Sequence, residues 1–142
     1  MIRKASKADV SQLAVLMGEL GYPTTTEEME HRFSKINSNS MYNTLVAEES
    51  GVIVGMIGMI LGFLYEKNDN YVRVVALVVD SNSRKQGIGE KLIEKAEEWA
   101  KEHGANGIVL NSGNRSERKD AHQFYLKRGF QGKSTGFVKT LT

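Results

Sequence analysis

The chain of 142 residues contains no cysteine. This absence excludes a disulfide-stapled domain, a catalytic thiolate and a cysteine-ligated metal site. The three histidines show no spacing typical of a metal centre, so we expect no metal ion. An excess of one charge is also missing, because 19 basic residues oppose 17 acidic ones. The resulting net charge of +2 is too small to indicate a nucleic-acid partner.

Long hydrophobic runs are missing too. The longest, Val52 to Leu64, has 13 residues, whereas a membrane-spanning helix needs roughly 20. No apolar run follows the basic start Met1–Asp9, as it would in a secretory signal. We therefore expect a cytosolic protein with no membrane partner. The length and a hydrophobic content of 40% fit a single domain, residues 1–142, with one core.

Hydrophobic spacing and turn residues predict an α/β fold. We expect a mixed, mostly antiparallel twisted sheet of six to seven strands with helices on both faces. Short turns make three consecutive strands antiparallel, and a strand–helix–strand unit then adds a parallel one. The predicted elements in chain order are a strand at Ile2–Lys4, helices over Val10–Leu20 and from the cap Thr24–Thr26 to Ile36, strands Thr44–Glu48, Val52–Leu64 and Tyr71–Val79, a helix from Gly87 to His103, a strand Ile108–Leu110, a helix Arg118–Arg128 and a strand Phe137–Thr140.

Glycines and basic residues gather where the strand ending near Asp80 gives way to the helix starting near Gly87. Gly87 and Gly89 have no Cβ atom, so backbone N–H groups there can approach a ligand closely. The first N–H groups of a helix lack internal partners, and the helix dipole favours an anion. Arg84 and Lys85 add positive charge, which predicts a site for a diphosphate.

Neither common nucleotide-binding loop fits this segment. A dinucleotide turn needs G-x-G-x-x-G, and Gly87–Leu92 lacks the third glycine. The P-loop spacing G-x-x-x-x-G-K-[S/T] is absent. On the paired glycines alone, a glycine-rich helix start without a ligand stays open as an alternative.

Two motifs resemble the GNAT (GCN5-related N-acetyltransferase) superfamily. Arg84-x-x-Gly87-x-Gly89 is similar to its acyl-CoA signature, R/Q-x-x-G-x-G/A. Ala76–Asp80 resembles the strand that enters the signature, although the proline that usually follows the aspartate is serine here. Ala121–Phe130 matches the family's second motif, A-x-x-F-Y-x-x-x-G-F, in full. The resemblance covers about Thr44 to Thr140, and the first forty residues match only in the type of element.

The resemblance implies that acetyl-CoA binds along one strand and one loop. Leu77, Val78 and Val79 would pair through their backbone with the pantetheine arm, beside a bulge that opens a V-shaped gap. Asn114 is a further candidate contact to pantetheine. The residues expected around the pyrophosphate, through N–H groups or flanking charge, are Arg84, Lys85, Gln86, Gly87, Ile88, Gly89 and Glu90.

The resemblance gives Tyr125 the catalytic role. Acyl transfer from a thioester to an amine expels a thiolate, and a phenol can donate a proton to that sulfur. Packing beside Phe124 is the structural alternative for Tyr125. No general base is evident, because the positions where many relatives carry a carboxylate are Val75 and Ala76 here. His122 is a weaker alternative, since relatives often carry a histidine there without a catalytic role.

The sequence supports one leading function and two others. The leading hypothesis is an enzyme that moves the acetyl group of acetyl-CoA directly to a primary amine of a small molecule or a protein. A non-catalytic acyl-CoA-binding regulatory domain is the alternative, and the missing strand carboxylate favours it. Nucleic-acid binding rests only on the basic cluster Arg115–Lys119. A homodimer, common in the family, has no sequence feature of its own here.

Overall fold

The computed structural model describes residues 1–112 and 119–141 of the chain. It contains two compact units, Met1–Val109 and Leu110–Thr142. The described helices and strands, in chain order, are β1 (Ile2–Lys4), α1 (Val10–Leu20), α2 (Thr26–Asn37), β2 (Tyr42–Glu49), β3 (Val52–Phe63), β4 (Asn70–Val79), α3 (Ile88–Glu102), β5 (Ala105–Leu110) and α4 (Lys119–Lys127).

The strands form one sheet in the order β1-β2-β3-β4-β5. The first four strands are antiparallel neighbours. Strand β5 follows through α3, the kind of crossover that parallel neighbours require, so the sheet is mixed and mostly antiparallel. The predicted fold class is confirmed, although the described residues contain five strands rather than six to seven.

Strand β3 is long, with 12 residues. It begins at a tight turn in which Ser50 and Gly51 both have positive φ, 51° and 79°, the pattern of a type I′ hairpin. Further along, Gly58 pairs with Ala76 but Met59 pairs with Val74. Val75 is therefore the extra residue of a β-bulge in β4, which bends the sheet at this point.

The sheet carries helices on both faces, as predicted. Gly55 and Met56 are neighbours on β3 and therefore point to opposite faces. Met56 belongs to a buried cluster with Leu13 of α1 and Phe33 of α2. On the other face, a Cβ atom added to Gly55 would lie 3.2 Å from Ile88 Cγ2 in α3. The missing side chain of Gly55 thus lets the first turn of α3 pack closely on the sheet.

A partly buried ion pair connects the start of α1 to the sheet. The guanidinium of Arg3 donates to both carboxylate oxygens of Asp9, at 2.8 and 2.9 Å, and its Nε donates to Glu48 at 2.7 Å. The backbone N–H of Ser6 also donates to Asp9, at 2.8 Å. These bonds, led by those from Arg3, lower the pKa of Asp9 from 3.8 to about 2. Asp9 is only 4% exposed, so the pair holds β1, β2 and α1 together in partly dry surroundings.

The second unit contains α4 and the chain beyond it. The helix ends before Gly129, whose φ of 89° is left-handed, as the sequence predicted. The strand predicted at Phe137–Thr140 is wrong, because this segment forms no strand. Phe137 and Val138 are 92% and 95% exposed. Their preference for extended structure takes effect only where a neighbouring strand pairs with them.

No helix in the described ranges is both long enough and apolar enough to span a membrane.

Candidate functional site

The segment between β4 and α3 has the geometry of an anion cradle. Lys85 and Gly87 both have left-handed backbone conformations, with φ of 65° and 81°. Left-handed Gly87 is followed directly by helical Ile88, and such a succession turns consecutive N–H groups toward one concave side. The first hydrogen bond of α3 runs from the N–H of Lys91 to the carbonyl of Gly87, at 3.1 Å. The N–H groups of Ile88 and Gly89 therefore precede the hydrogen-bonded ladder of the helix.

Lys85 is strained at this turn. A residue with a Cβ atom in the left-handed region costs roughly 1–2 kcal/mol, and such outliers cluster at ligand sites. The side chain of Lys85 is exposed, so its ammonium group is available to an anion that enters from solvent. The strained backbone and the positive charge occur together at the position that the sequence predicted.

There is room for a ligand at the turn. A Cβ atom added to Gly87 would meet no other atom within 4 Å. Ile88, in contrast, is 6% exposed and anchors the start of α3 in the core. The helix start is therefore anchored in the core at Ile88, while the turn at Gly87 is open to solvent. This arrangement fits a phosphate or pyrophosphate group.

The sequence suggested that the side chain of Arg84 adds positive charge to the cradle, but in the structure this side chain contacts other groups of the protein. Its Nε donates to the carbonyl of Val79 at 3.1 Å, and its Nη2 lies 3.8 Å from a carboxylate oxygen of Glu19. The hydroxyl of Ser81 donates to the same carboxylate at 3.2 Å. Arg84 and Glu19 thus fasten the loop to the end of β4 and to α1. Glu19 has no sequence signal for this role, because it precedes Arg84 by 65 positions.

The predicted cofactor strand ends beside this loop. Leu77, Val78 and Val79 pair with Ile57, Met56 and Gly55 of β3. The bond from Arg84 to Val79 joins their end to the cradle, so the structure brings these two predicted sets of residues together. The predicted bulge is present two residues before Leu77, at Val75, which is 51% exposed.

Tyr125 lies on α4 in the second unit. Its ring makes edge-to-face contacts with Phe124 and Phe130, with centroids 5.6 and 5.7 Å apart. Its carbonyl accepts from the N–H groups of Arg128 and Phe130, at 3.0 and 3.1 Å. These contacts fix the orientation of the half-buried ring on its helix. His122 lies one helical turn earlier.

Two predictions fall on residues outside the described ranges. Asn114 is one of them, and the basic cluster from Arg115 to Arg118 is the other. Among the residues that the structure does describe, no group of three or more histidine and acidic side chains could hold a metal ion.

The fold and the cradle define an α/β protein with an anion site between a bulged strand and the helix that follows it. The sequence profile of the acetyltransferase (GNAT) family matches residues 10–130. The chain therefore belongs to the GNAT acetyltransferase family.

Individual relatives agree with this membership. Aminoalkylphosphonate N-acetyltransferase of Salmonella typhimurium is 34% identical over 96 residues, which span 68% of this chain and 61% of the relative. A crystal structure of a GNAT family acetyltransferase from Staphylococcus aureus is 33% identical, with a TM-score of 0.86 over 99% of this chain and 98% of that one. A crystal structure of a transcriptional regulator from Bacillus halodurans is 25% identical, with a TM-score of 0.89 over 99% of each chain.

Proposed function

We propose that this protein is an N-acetyltransferase that moves the acetyl group of acetyl-CoA directly to a primary amine, with residues 1–142 acting as one catalytic domain. The observation that carries the proposal is the turn from Lys85 to Ile88. It presents backbone N–H groups and an exposed cation directly after a bulged strand. Membership of the GNAT family supports acetyl-CoA as the ligand of this turn.

The cofactor would be held mainly by backbone groups. The N–H groups from Gln86 to Glu90 would bind the pyrophosphate, and the ammonium group of Lys85 would flank it. The backbone of Leu77–Val79 would bind the pantetheine arm, with Asn114 as a further contact. Arg84 would act indirectly, because its guanidinium holds the loop against Val79 and Glu19. Bound acetyl-CoA would supply an activated thioester to the amine.

Tyr125 would act as the general acid. Its hydroxyl would donate a proton to the sulfur of the leaving thiolate, and its contacts with Phe124 and Phe130 would hold the ring for that task. General acid catalysis typically contributes about 10²–10⁴-fold to a rate. Removing the hydroxyl should therefore lower turnover strongly and leave the affinity for CoA nearly intact.

The experiment compares Tyr125→Phe with Tyr22→Phe, which removes a hydroxyl from an exposed residue of another segment. Release of free CoA thiol is measured with a panel of amines, and the Kd for CoA is measured by calorimetry. We expect kcat to fall about 100-fold or more in Tyr125→Phe alone, with the Kd within about twofold of the wild type. If the kcat of Tyr125→Phe equalled that of the wild type, the general-acid role of Tyr125 would be refuted.

A non-catalytic acyl-CoA-binding regulator is the second candidate. Two observations favour it: Val75 and Ala76 supply no carboxylate to deprotonate an amine, and the Bacillus halodurans protein with the same fold is described as a transcriptional regulator. Tight binding of CoA without thiol release over the whole amine panel would support this candidate instead of the enzyme.

A further inference from the structure

Arg73 is a half-buried cation and the one charged residue of β4. It lies between the buried Val72 and Val74 and pairs with Ile60 of β3. Because side chains alternate along a strand, Arg73 extends from the face opposite to those valines. Among the described residues, no carboxylate forms an ion pair with its guanidinium. Partial burial of an unpaired cation is unfavourable, so a counter-ion from outside the chain would be stabilising.

Arg73 lines a cavity that is open to solvent. It has a volume of about 500 Å³, and its wall includes Phe63, Tyr71 and Val109 together with Arg73. The ring of Tyr71 is seated over Gly62, where an added Cβ would lie only 2.5 Å from the ring carbon Cζ. Phe63 and Val109 are 69% and 39% exposed, so water reaches the cavity and partly screens an ion pair formed there.

The acidic side chains that line this cavity form no ion pair with Arg73. Glu66 and Asp69 also line it, but both are exposed residues of the turn between β3 and β4. Their carboxylates face water, and neither pairs with the guanidinium. The planar fork of an arginine matches the two oxygens of a carboxylate, a phosphonate or a phosphate. The guanidinium of Arg73 therefore suits a ligand that carries such an oxyanion.

Arg73 lies on the same strand as Leu77–Val79, the residues proposed to bind the pantetheine arm. Arg73 precedes Leu77 by four residues, about 13 Å at roughly 3.3 Å per residue, and the extra residue Val75 shortens this interval. We propose that Arg73 is a specificity residue that binds an oxyanion of the amine acceptor, so that the substrates are small amines with a carboxylate, phosphonate or phosphate at the far end. This inference rests on the proposed acetyltransferase function.

The test compares three acceptors of similar length: β-alanine, 2-aminoethylphosphonate and neutral propylamine. The measured quantity is the ratio of kcat/KM for each anionic acceptor to kcat/KM for propylamine. Because hydrogen bonds to charged groups contribute about 1.5–3 kcal/mol, Arg73→Gln should lower this ratio about 10- to 100-fold. Arg73→Lys should keep part of it. Lys101→Gln, which removes one positive charge from an exposed residue of α3, should leave the ratio unchanged.

Calorimetric binding of the same acceptors to the CoA complex separates this inference from the proposed function. Binding that depends on Arg73, without acetylation, would refute the enzyme and keep the oxyanion site. If the acceptors are acetylated and Arg73→Gln leaves the ratio of kcat/KM values unchanged, the oxyanion site is refuted and the proposed enzyme activity is retained. If the acceptors were neither acetylated nor bound in a way that depends on Arg73, the inference would be overturned. A preference for the carboxylate or for the phosphonate identifies which oxyanion the site takes.

Discussion

Gly87 allows the sharpest test of the cradle, because its substitution by alanine has a calculable cost. Its φ is 81°, and an added Cβ would meet nothing within 4 Å. The folded protein therefore loses stability only through the left-handed backbone, at roughly 1–2 kcal/mol. For a chain of this size the loss corresponds to a decrease in Tm of about 3–6 °C.

The added methyl group would, however, occupy open space at the turn where the pyrophosphate is proposed to bind. Loss of one N–H bond to a charged phosphate costs about 1.5–3 kcal/mol, which is at least a tenfold loss of CoA affinity. Pantetheine has no pyrophosphate, so its affinity should stay within about twofold of the wild-type value. Calorimetry with both ligands at 25 °C measures the two effects separately.

Gly104 supplies the matched control for backbone strain. It follows the other end of α3 with φ of 75°, and its nearest contact for an added Cβ is Asn70 Nδ2 at an ordinary 3.7 Å. Gly104→Ala should lose a similar amount of stability and bind CoA like the wild type. If both variants weakened CoA equally, or if Gly87→Ala weakened pantetheine as much as CoA, the cradle would be refuted.

Two further predictions concern charged groups. Arg84→Ala should weaken CoA binding less than Lys85→Gln, because the guanidinium of Arg84 is already engaged with Val79 and Glu19; Kd values at two salt concentrations check this, and the reverse order would contradict it. Asp9→Asn should lower the free energy of unfolding by about 1–3 kcal/mol, since it leaves Arg3 without its main partner. Because the pKa of Asp9 falls from 3.8 to about 2 on folding, its contribution is complete above pH 3.8 and is lost as the pH falls toward 2. Urea titrations should show this decline in the wild type only, and parallel curves would contradict the prediction.

The features predicted correctly from sequence depend on local spacing. The helices α1 and α3 follow from apolar residues at every third or fourth position and end beside glycines with positive φ, Gly21 and Gly104. The short turn between the strands Thr44–Glu48 and Val52–Leu64 and the helix start near Gly87 were also predicted from glycines at these positions.

The features that sequence reasoning missed depend on distant partners. The carboxylate that engages Arg84 comes from Glu19, on a helix that is separated from β4 by two strands and one further helix. The failed strand at Phe137–Thr140 has the same cause, since extended residues form a strand only when another edge is available. The bulge was expected from the family resemblance alone, because Val74, Val75 and Ala76 are similar enough that spacing cannot show which residue is extra.

The two ends of β4 are proposed to have different functions, cofactor binding at one end and acceptor recognition at the other. At its carboxyl end, main-chain groups and a glycine-rich helix start form the anion site, and such groups tolerate changes in most side chains. Before the bulge, recognition of the acceptor would depend on one side chain, Arg73, which lines an open cavity. A substitution at Gly87 should therefore change cofactor affinity for every acceptor, whereas a substitution at Arg73 should change the choice among acceptors. If the two effects proved inseparable in a double variant, the cofactor site and the acceptor site would be one coupled unit.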